Sequence, residues 1–373
     1  YFIQNNRKYG PYSCLHNIVI DDAGYAYIAE MNENEWYVVI NGKEYGPYYY
    51  IDDVKINSNG FAYTAAKTKD ESYAFINGKE YGPYMDFDDF FTDLKLDRNG
   101  FSYTAQKPDG FYAVINGNEY GPYTQVEYIE LNKTSSGFSC YKKNEGDYAV
   151  INGKEYGPYH DVYSFNLLDN GYALIAEATE NEFYFVLNGE EIGPYSEVSR
   201  MSFCEKGYGY VLKKADDEYY VIINGKEYGP YNDINDFKYN NNGSAYFARK
   251  SDNNWYAVIN GKEYGPYYGA HELSFNKSGY AYITEKNNNE YYVVINDKEF
   301  GPYSQVHSLI YDKYGFAFTV SKAEDEYSMI VDGKEISSAP LTNVRTYSKK
   351  GKNYRYWFTL AGNDIYYNEM RLD

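Results

Sequence analysis

Cysteine is scarce in this chain, and the little there is does not pair. Cys14, Cys140 and Cys204 are an odd set at unrelated positions, so a disulfide framework is excluded and no metal-ligand spacing appears. Cys140 takes the place of an aromatic residue and is expected only to be packed. Basic charge is also short: 35 Lys and Arg stand against 54 Asp and Glu, a net charge of −19. That argues against nucleic acid, whose readers need a basic footprint. It fits solubility, a basic partner or calcium. No apolar run approaches the roughly 18 residues of a membrane span. The motifs Gly-x-Ser-x-Gly and His-Glu-x-x-His are missing, as are a phosphate loop and a dinucleotide fingerprint. A non-enzyme is expected. A carboxylate pair for glycosidase or lyase chemistry is set by geometry rather than spacing, and the carboxylates are too many to nominate two.

What is present is a repeat. Gly-Pro-Tyr begins at Gly10, Gly46, Gly82, Gly121, Gly157, Gly193, Gly229, Gly265 and Gly301, with steps of 36 residues except one of 39. Such a period marks a repeat architecture. Within each unit a β-branched run such as Val38-Val39-Ile40 meets Asn41-Gly42 and then Lys43-Glu44-Tyr45. Asn-Gly between two such runs is a strong hairpin signal, because a type I′ turn needs positive φ at both central residues. It recurs at Asn77, Asn116, Asn152, Asn188, Asn224 and Asn260, and drifts to Asn296-Asp297 and Asp332-Gly333. Proline gives no ladder donor, so Pro47 is expected to end the second strand.

The other half of the unit is a second hairpin. Val54-Lys55-Ile56 alternates before Gly60, and Phe61-Ala62-Tyr63 follows it. Large aromatics face one side, and the small residue between them lets the next layer approach. The reading is four strands of about five residues per unit, named a, b, c and d in chain order. No helical pattern fits inside the period. Four-stranded units repeated in this way predict an all-β fold: a single β-propeller over residues 1–373, with about ten four-stranded antiparallel blades, or nine. Strand a would line the channel. Residues 1–12 read as a c–d hairpin, and 337–373 as a degenerate tenth unit with Ile365–Met370 as its strand c. Both termini are expected to contribute to the closing blade. A spare terminal hairpin would allow either a monomer or a strand-exchanged oligomer. The chain starts directly in repeat-like sequence at Tyr1, so a signal peptide is expected to have been removed or never to have existed.

Ile56-Asn57-Ser58-Asn59-Gly60-Phe61-Ala62-Tyr63 and Val331-Asp332-Gly333-Lys334-Glu335 resemble the TolB-type propeller repeats. The resemblance covers nearly the whole chain at the level of fold, although the family's Pro-Asp before the turn glycine is absent. It implies a bacterial, extracytoplasmic setting and protein–protein contacts.

Residues that repeat in every unit serve the fold, so function is sought where units differ. Six residues past each Gly-Pro-Tyr glycine stand His16, Asp52, Asp88, Tyr163, Ser199, Asn235, His271, His307 and Asn343, with Glu127 in the fourth unit. In a closed ring His271, His307, Asn343, His16 and Asp52 would follow one another around a channel mouth. They are the candidate ligand-binding set. No metal is assigned, because equivalent atoms on neighbouring blades stand too far apart for one tetrahedral centre. The candidate partner loop is Asp86-Phe87-Asp88-Asp89-Phe90-Phe91, whose carboxylates could also take calcium; no other cofactor is expected. The first expectation is therefore a non-enzymatic scaffold for a protein partner. The alternative is multivalent carbohydrate binding on tyrosine faces.

Overall fold

The computed structural model describes residues 2–4, 7–85, 94–168, 171–215, 218–287, 289–323, 326–338, 345–349, 352–361 and 364–372. The fold is all-β and of the β-propeller type. Nine four-stranded antiparallel sheets follow in chain order, each in the order a-b-c-d, and a three-stranded tenth closes the series. A two-stranded hairpin, Phe2–Gln4 and Arg7–Tyr9, precedes them. Contacts divide the chain at residue 194. Up to it lie the hairpin and blades 1 to 5 (14–48, 50–84, 95–123, 125–159, 161–195), except for Tyr195, the last residue of blade 5. Beyond it lie blades 6 to 10 (197–231, 233–267, 269–303, 305–338, 345–371).

The strands are longer than the sequence suggests. In blade 1, strand a is Cys14–Asp21 and strand b is Gly24–Asn32. The expectation that proline ends strand d is corrected. Strand d runs through it as Lys43–Tyr48. Tyr45 pairs with Val38 and Tyr48 with Trp36, so Gly46-Pro47 forms a bulge on an edge strand. A bulge at an edge is where proline costs no ladder bond. Alanine, valine and isoleucine of strands b and c pack on strand a of the following blade, as Ala26, Ile28, Val38 and Ile40 do on Val54 and Ile56. The small b-strand residue works as read: a Cβ on Gly209 would lie 2.7 Å from Phe237 of the next blade.

The Gly-Pro-Tyr tyrosine joins consecutive blades. Tyr48 meets the hydroxyl of Tyr63 at 2.9 Å, Tyr84 meets Tyr103 at 3.0 Å, and Tyr267 meets Tyr282 at 3.0 Å. Blades 4 and 5 have Phe138 and Leu174 in place of the partner. There the hydroxyl donates instead to the next blade's strand-d glutamate, Tyr123 to Glu155 at 3.4 Å and Tyr159 to Glu191 at 3.0 Å. Strand-b lysines close the same glutamates from the surface. Lys67 lies 2.6 Å from Glu80 and 4.2 Å from the Tyr73 ring centroid.

The two turns of a blade are bonded to each other. Asn77 Oδ1 accepts the Phe61 N–H at 2.8 Å, and Asn77 Nδ2 donates to the Asn59 carbonyl at 3.4 Å. Gly60 has φ of +126°, and a Cβ there would lie 1.9 Å from Asn77 Oδ1. Gly60→Ala should therefore cost about 3 kcal/mol, from backbone strain plus the displaced bond. Gly78 has φ of +83° with nothing within 4 Å, so Gly78→Ala should cost about 1–2 kcal/mol from its backbone alone. Urea midpoints of the two variants check this. Equal midpoints would show that the asparagine does not hold the turn.

Candidate functional site

The two ends of a blade differ in kind. One end carries the a–b and c–d turns just described, nearly identical from blade to blade. The other carries the d–a and b–c loops, and the varying residues lie there.

In the blades where the varying residue is described it stands on strand a, two strands from a residue twenty positions later on strand c. In three blades that residue is aromatic and the two rings meet within the blade. His16 lies 5.3 Å from Trp36, Tyr163 lies 5.6 Å from Phe183, and His307 lies 5.3 Å from Tyr327, measured between ring centroids. His307 Nε2 is also 2.6 Å from Ser321 Oγ. His16 and His307 are exposed and His271 is half-buried. Asp52 is half-buried, and its carboxyl is pushed above the ordinary range first by burial and then by the charge of Asp53. Among the described residues no hydrogen bond, ion pair or ring contact joins His271 to His307. The partners of His307, Ser321 and Tyr327, belong to its own blade. Asn343 and the Asp86-Phe87-Asp88-Asp89-Phe90-Phe91 loop lie outside the described residues. No group of three His, Cys, Asp or Glu that could hold a metal ion occurs among the described residues.

The position after the varying one has a structural duty. In several blades it is a bulge residue with positive φ, as at Asn17 (45°), Arg200 (54°) and Asp236 (50°). These side chains reach the backbone of the next blade. Asn17 donates to the Asp52 carbonyl at 3.1 Å, Arg200 donates to the Ile234 carbonyl at 2.8 Å, and Asp236 accepts the Leu273 N–H at 3.2 Å.

Between blades 4 and 5 lies a cleft of about 490 Å³, lined by residues that include Glu127, Tyr128, Tyr141, Asp147, His160, Asp161 and Tyr163. Its cause is a change on strand c. The residue equivalent to Trp36, Phe183, Trp255 and Tyr327 is Asp147, so no ring fills the gap. Asp147 Oδ2 accepts the Val162 N–H of blade 5 at 3.2 Å. Its carboxyl pKa is pushed up to about 6, first by burial and then by sharing a hydrogen bond with Asp161. Two carboxylates in contact cannot both ionise freely. Because the folded carboxyl holds its proton more tightly than an unfolded one, the stability tied to that proton is full at acid pH. It is lost as pH rises to about 6.

On the blade 5 side, Glu177 organises the wall. It accepts the Tyr163 hydroxyl at 2.7 Å and the Asn181 N–H at 2.8 Å, and its Oε2 lies 3.4 Å from His160 Nδ1. These contacts hold its carboxyl below the ordinary range, Tyr163 contributing most. The bond to Glu177 pushes the Tyr163 hydroxyl up to about 12. Glu285 accepts the Asn289 N–H in the same way at 2.9 Å, so that part of the Glu177 arrangement serves the b–c turn. Tyr128, Tyr141 and Tyr163 are exposed around the opening. Sequence reading singled out Tyr163 and Glu127 by position and His160 by its loop, but missed Asp147 and Asp161. The available signal was the one acidic residue in an otherwise mostly aromatic column.

No family model matches the chain, and no curated protein matches it. Solved structures overlap it in part, BamB, Uly1 and BBS1N among them. BamB from Moraxella catarrhalis is 9% identical, with 85% of this chain and 96% of that one covered and a TM-score of 0.29. The polysaccharide lyase Uly1 is 10% identical, with 82% and 98% covered and a TM-score of 0.26. BBS1N, solved in complex with ARL6DN, is 10% identical, with 65% and 86% covered and a TM-score of 0.25. Overlap at this level carries no argument about activity.

Proposed function

We propose that this chain is a non-enzymatic binding scaffold that offers the d–a loop end of its blades to a protein partner. The blade 4–blade 5 cleft would take a basic side chain of that partner. The observation that supports this is the contrast between blade ends: one is uniform and bonded to itself, the other varied, with Tyr49, Tyr128, Tyr163 and Tyr268 exposed on it. Exposed tyrosines beside polar groups are the composition of interfaces. The cleft carries Glu127, Asp147 and Asp161 and no Lys or Arg in its lining, so charge complementarity favours an ammonium or guanidinium group.

A photo-reactive residue at Tyr128 should cross-link a partner, and one at Gly78, on the uniform end, should not. Equal labelling from both ends would overturn the reading. Short lysine- or arginine-containing peptides should bind the cleft, and Asp147→Asn should weaken them about tenfold, which is 1.4 kcal/mol. The bound cation favours the ionised carboxyl, so binding should release a proton near pH 6 and weaken as the pH falls below it. Calorimetry in two buffers of different ionisation enthalpy reads that proton directly.

Carbohydrate binding is the second reading, and one cluster favours it. Trp36 lies between His16 and Tyr50, with the Tyr50 ring 5.4 Å away and exposed. A glycan-array signal lost in Trp36→Ala would favour this reading over the first. For glycoside hydrolysis, retaining or inverting, carboxyls stand about 5 Å or more apart, whereas Asp147 and Asp161 are in hydrogen-bonding contact. A bacterial, extracytoplasmic setting belongs to the proposal only through the TolB resemblance.

A further inference from the structure

Asn-Gly is the dipeptide most prone to lose ammonia, because the glycine nitrogen is unhindered. This chain has two structural classes of it. The first is the seven c–d turns, Asn41-Gly42 and its equivalents. In all seven the asparagine Oδ1 accepts a strand-b N–H at 2.8–2.9 Å. That bond spans about sixteen residues and aims the carboxamide at the other hairpin, away from the glycine that follows. The second class lies in the a–b turns. Asn170, before Gly171, lies outside the described residues, and Asn99, before Gly100, is half-buried with its Nδ2 reaching the Leu131 carbonyl of the next blade at 3.5 Å. At Asn59-Gly60 and Asn242-Gly243 the side chain stays within its own turn. Asn59 Nδ2 donates to Asn57 Oδ1 at 3.1 Å, and Asn242 Nδ2 donates to Asn240 Oδ1 at 2.8 Å. Both asparagines are exposed, and each is held only to a side chain two residues away.

We infer that, among the described residues, Asn59 and Asn242 are the asparagines of the folded protein that undergo succinimide formation, while the c–d asparagines are held back. The backbone nitrogen of Gly60 attacks Asn59 Cγ. A C–N bond forms, the Cγ–Nδ2 bond breaks, and Nδ2 leaves as ammonia with the glycine amide proton. Water then opens the ring at either carbonyl, leaving aspartate or isoaspartate. Each event adds one negative charge to a turn. Isoaspartate also lengthens the backbone beside the Asn59 carbonyl that receives Asn77 Nδ2 at 3.4 Å.

The test is incubation of the folded protein at pH 8.5 and 37 °C, with isoaspartate and aspartate read peptide by peptide by mass spectrometry. The expected result is deamidation at Asn59 and Asn242 at least tenfold faster than at any of the seven c–d asparagines. In urea all of these sites should react at similar rates, since the difference belongs to the fold. Equal rates in the folded state, or faster loss at the c–d turns, would overturn the inference. Asn77→Asp supplies a second arm: it removes the donor to the Asn59 carbonyl and should accelerate reaction at Asn59 alone. Unchanged Asn59 kinetics in that variant would count against the role given to the paired turns.

Discussion

Tyr246→Ala should lower the stability of blades 6 to 8 by about 3–5 kcal/mol, the range for removing a large buried aromatic side chain. Tyr246 is 1% exposed. Its ring meets Tyr231 edge-on at 6.0 Å and Phe237 at 6.4 Å. Its hydroxyl bonds that of Tyr231 at 3.2 Å, and Tyr231 belongs to the preceding blade. The truncation therefore opens a void at a blade boundary as well as within one sheet. In a repeat array such a boundary is a nearest-neighbour coupling on which cooperative folding depends. Tyr246→Phe keeps the ring and should cost only about 1 kcal/mol, the net worth of one hydrogen bond. The chain makes that comparison itself, since Phe138 and Phe318 hold the same position fully buried. Urea unfolding of the two variants separates packing from hydrogen bonding. Should the Phe variant lose as much as the Ala variant, the hydroxyl pair rather than the ring would be the principal tie. Burial drives the Tyr246 hydroxyl far above the ordinary phenol range, with the bond to Tyr231 next in size, so the tie should persist in alkali that ionises exposed tyrosines.

What could be read from the sequence follows from range. The period, the Asn-Gly turns and the small residues of strand b are local patterns, and the sheets follow them. The exact course of strand d could not be read, because whether Gly46-Pro47 ends a strand or bulges out of it depends on Tyr48 pairing with Trp36. The inter-blade ties were hidden for a stronger reason. Tyr48–Tyr63 or Asn17–Asp52 joins residues fifteen to thirty-five positions apart with no mark in either neighbourhood. The varying column containing His16, Tyr163 and His307 was visible by comparing units. That His16 and His307 lie against Trp36 and Tyr327 of their own blades was not, since a period does not say which way a side chain leans. Asp147 was legible only as a departure from its column. The contact with Asp161 that helps to raise its carboxyl needs the packing of two blades.

Arg355→Met should destabilise the docking of blade 10 on blade 9 by about 3 kcal/mol, the low end for breaking a buried ion pair by removing one partner. The reason begins with two asparagines that blade 9 lacks. In blades 2, 7 and 8 the last residue of strand a is an asparagine that donates to the next blade's backbone, as Asn57 does to Leu96 at 2.7 Å and Asn240 to Phe275 at 3.1 Å. Blade 9 has Asp312 there, and a carboxylate cannot donate. It also has Asp332 at the c–d turn, which still accepts the Phe316 N–H at 2.9 Å but has no amide for the other turn. Arg355 of blade 10 answers both changes. It is fully buried, with Nη2 3.0 Å from Asp312 and Nη1 4.0 Å from Asp332. Both acids keep solvent exposure, so they can rehydrate when the arginine is removed, which puts the cost at the low end. Asp312→Asn leaves the guanidinium buried with only the distant carboxylate and should cost at least as much. The combination of Arg355→Met, Asp312→Asn and Asp332→Asn restores the asparagine pair of blades 2, 7 and 8 and should recover most of the loss. Proteolysis of the region after blade 9 under native conditions follows that docking. If Arg355→Met is as resistant as the parent chain, the buried pair does not hold blade 10. If the triple variant is no better than the single one, the two aspartates were not matched to the arginine.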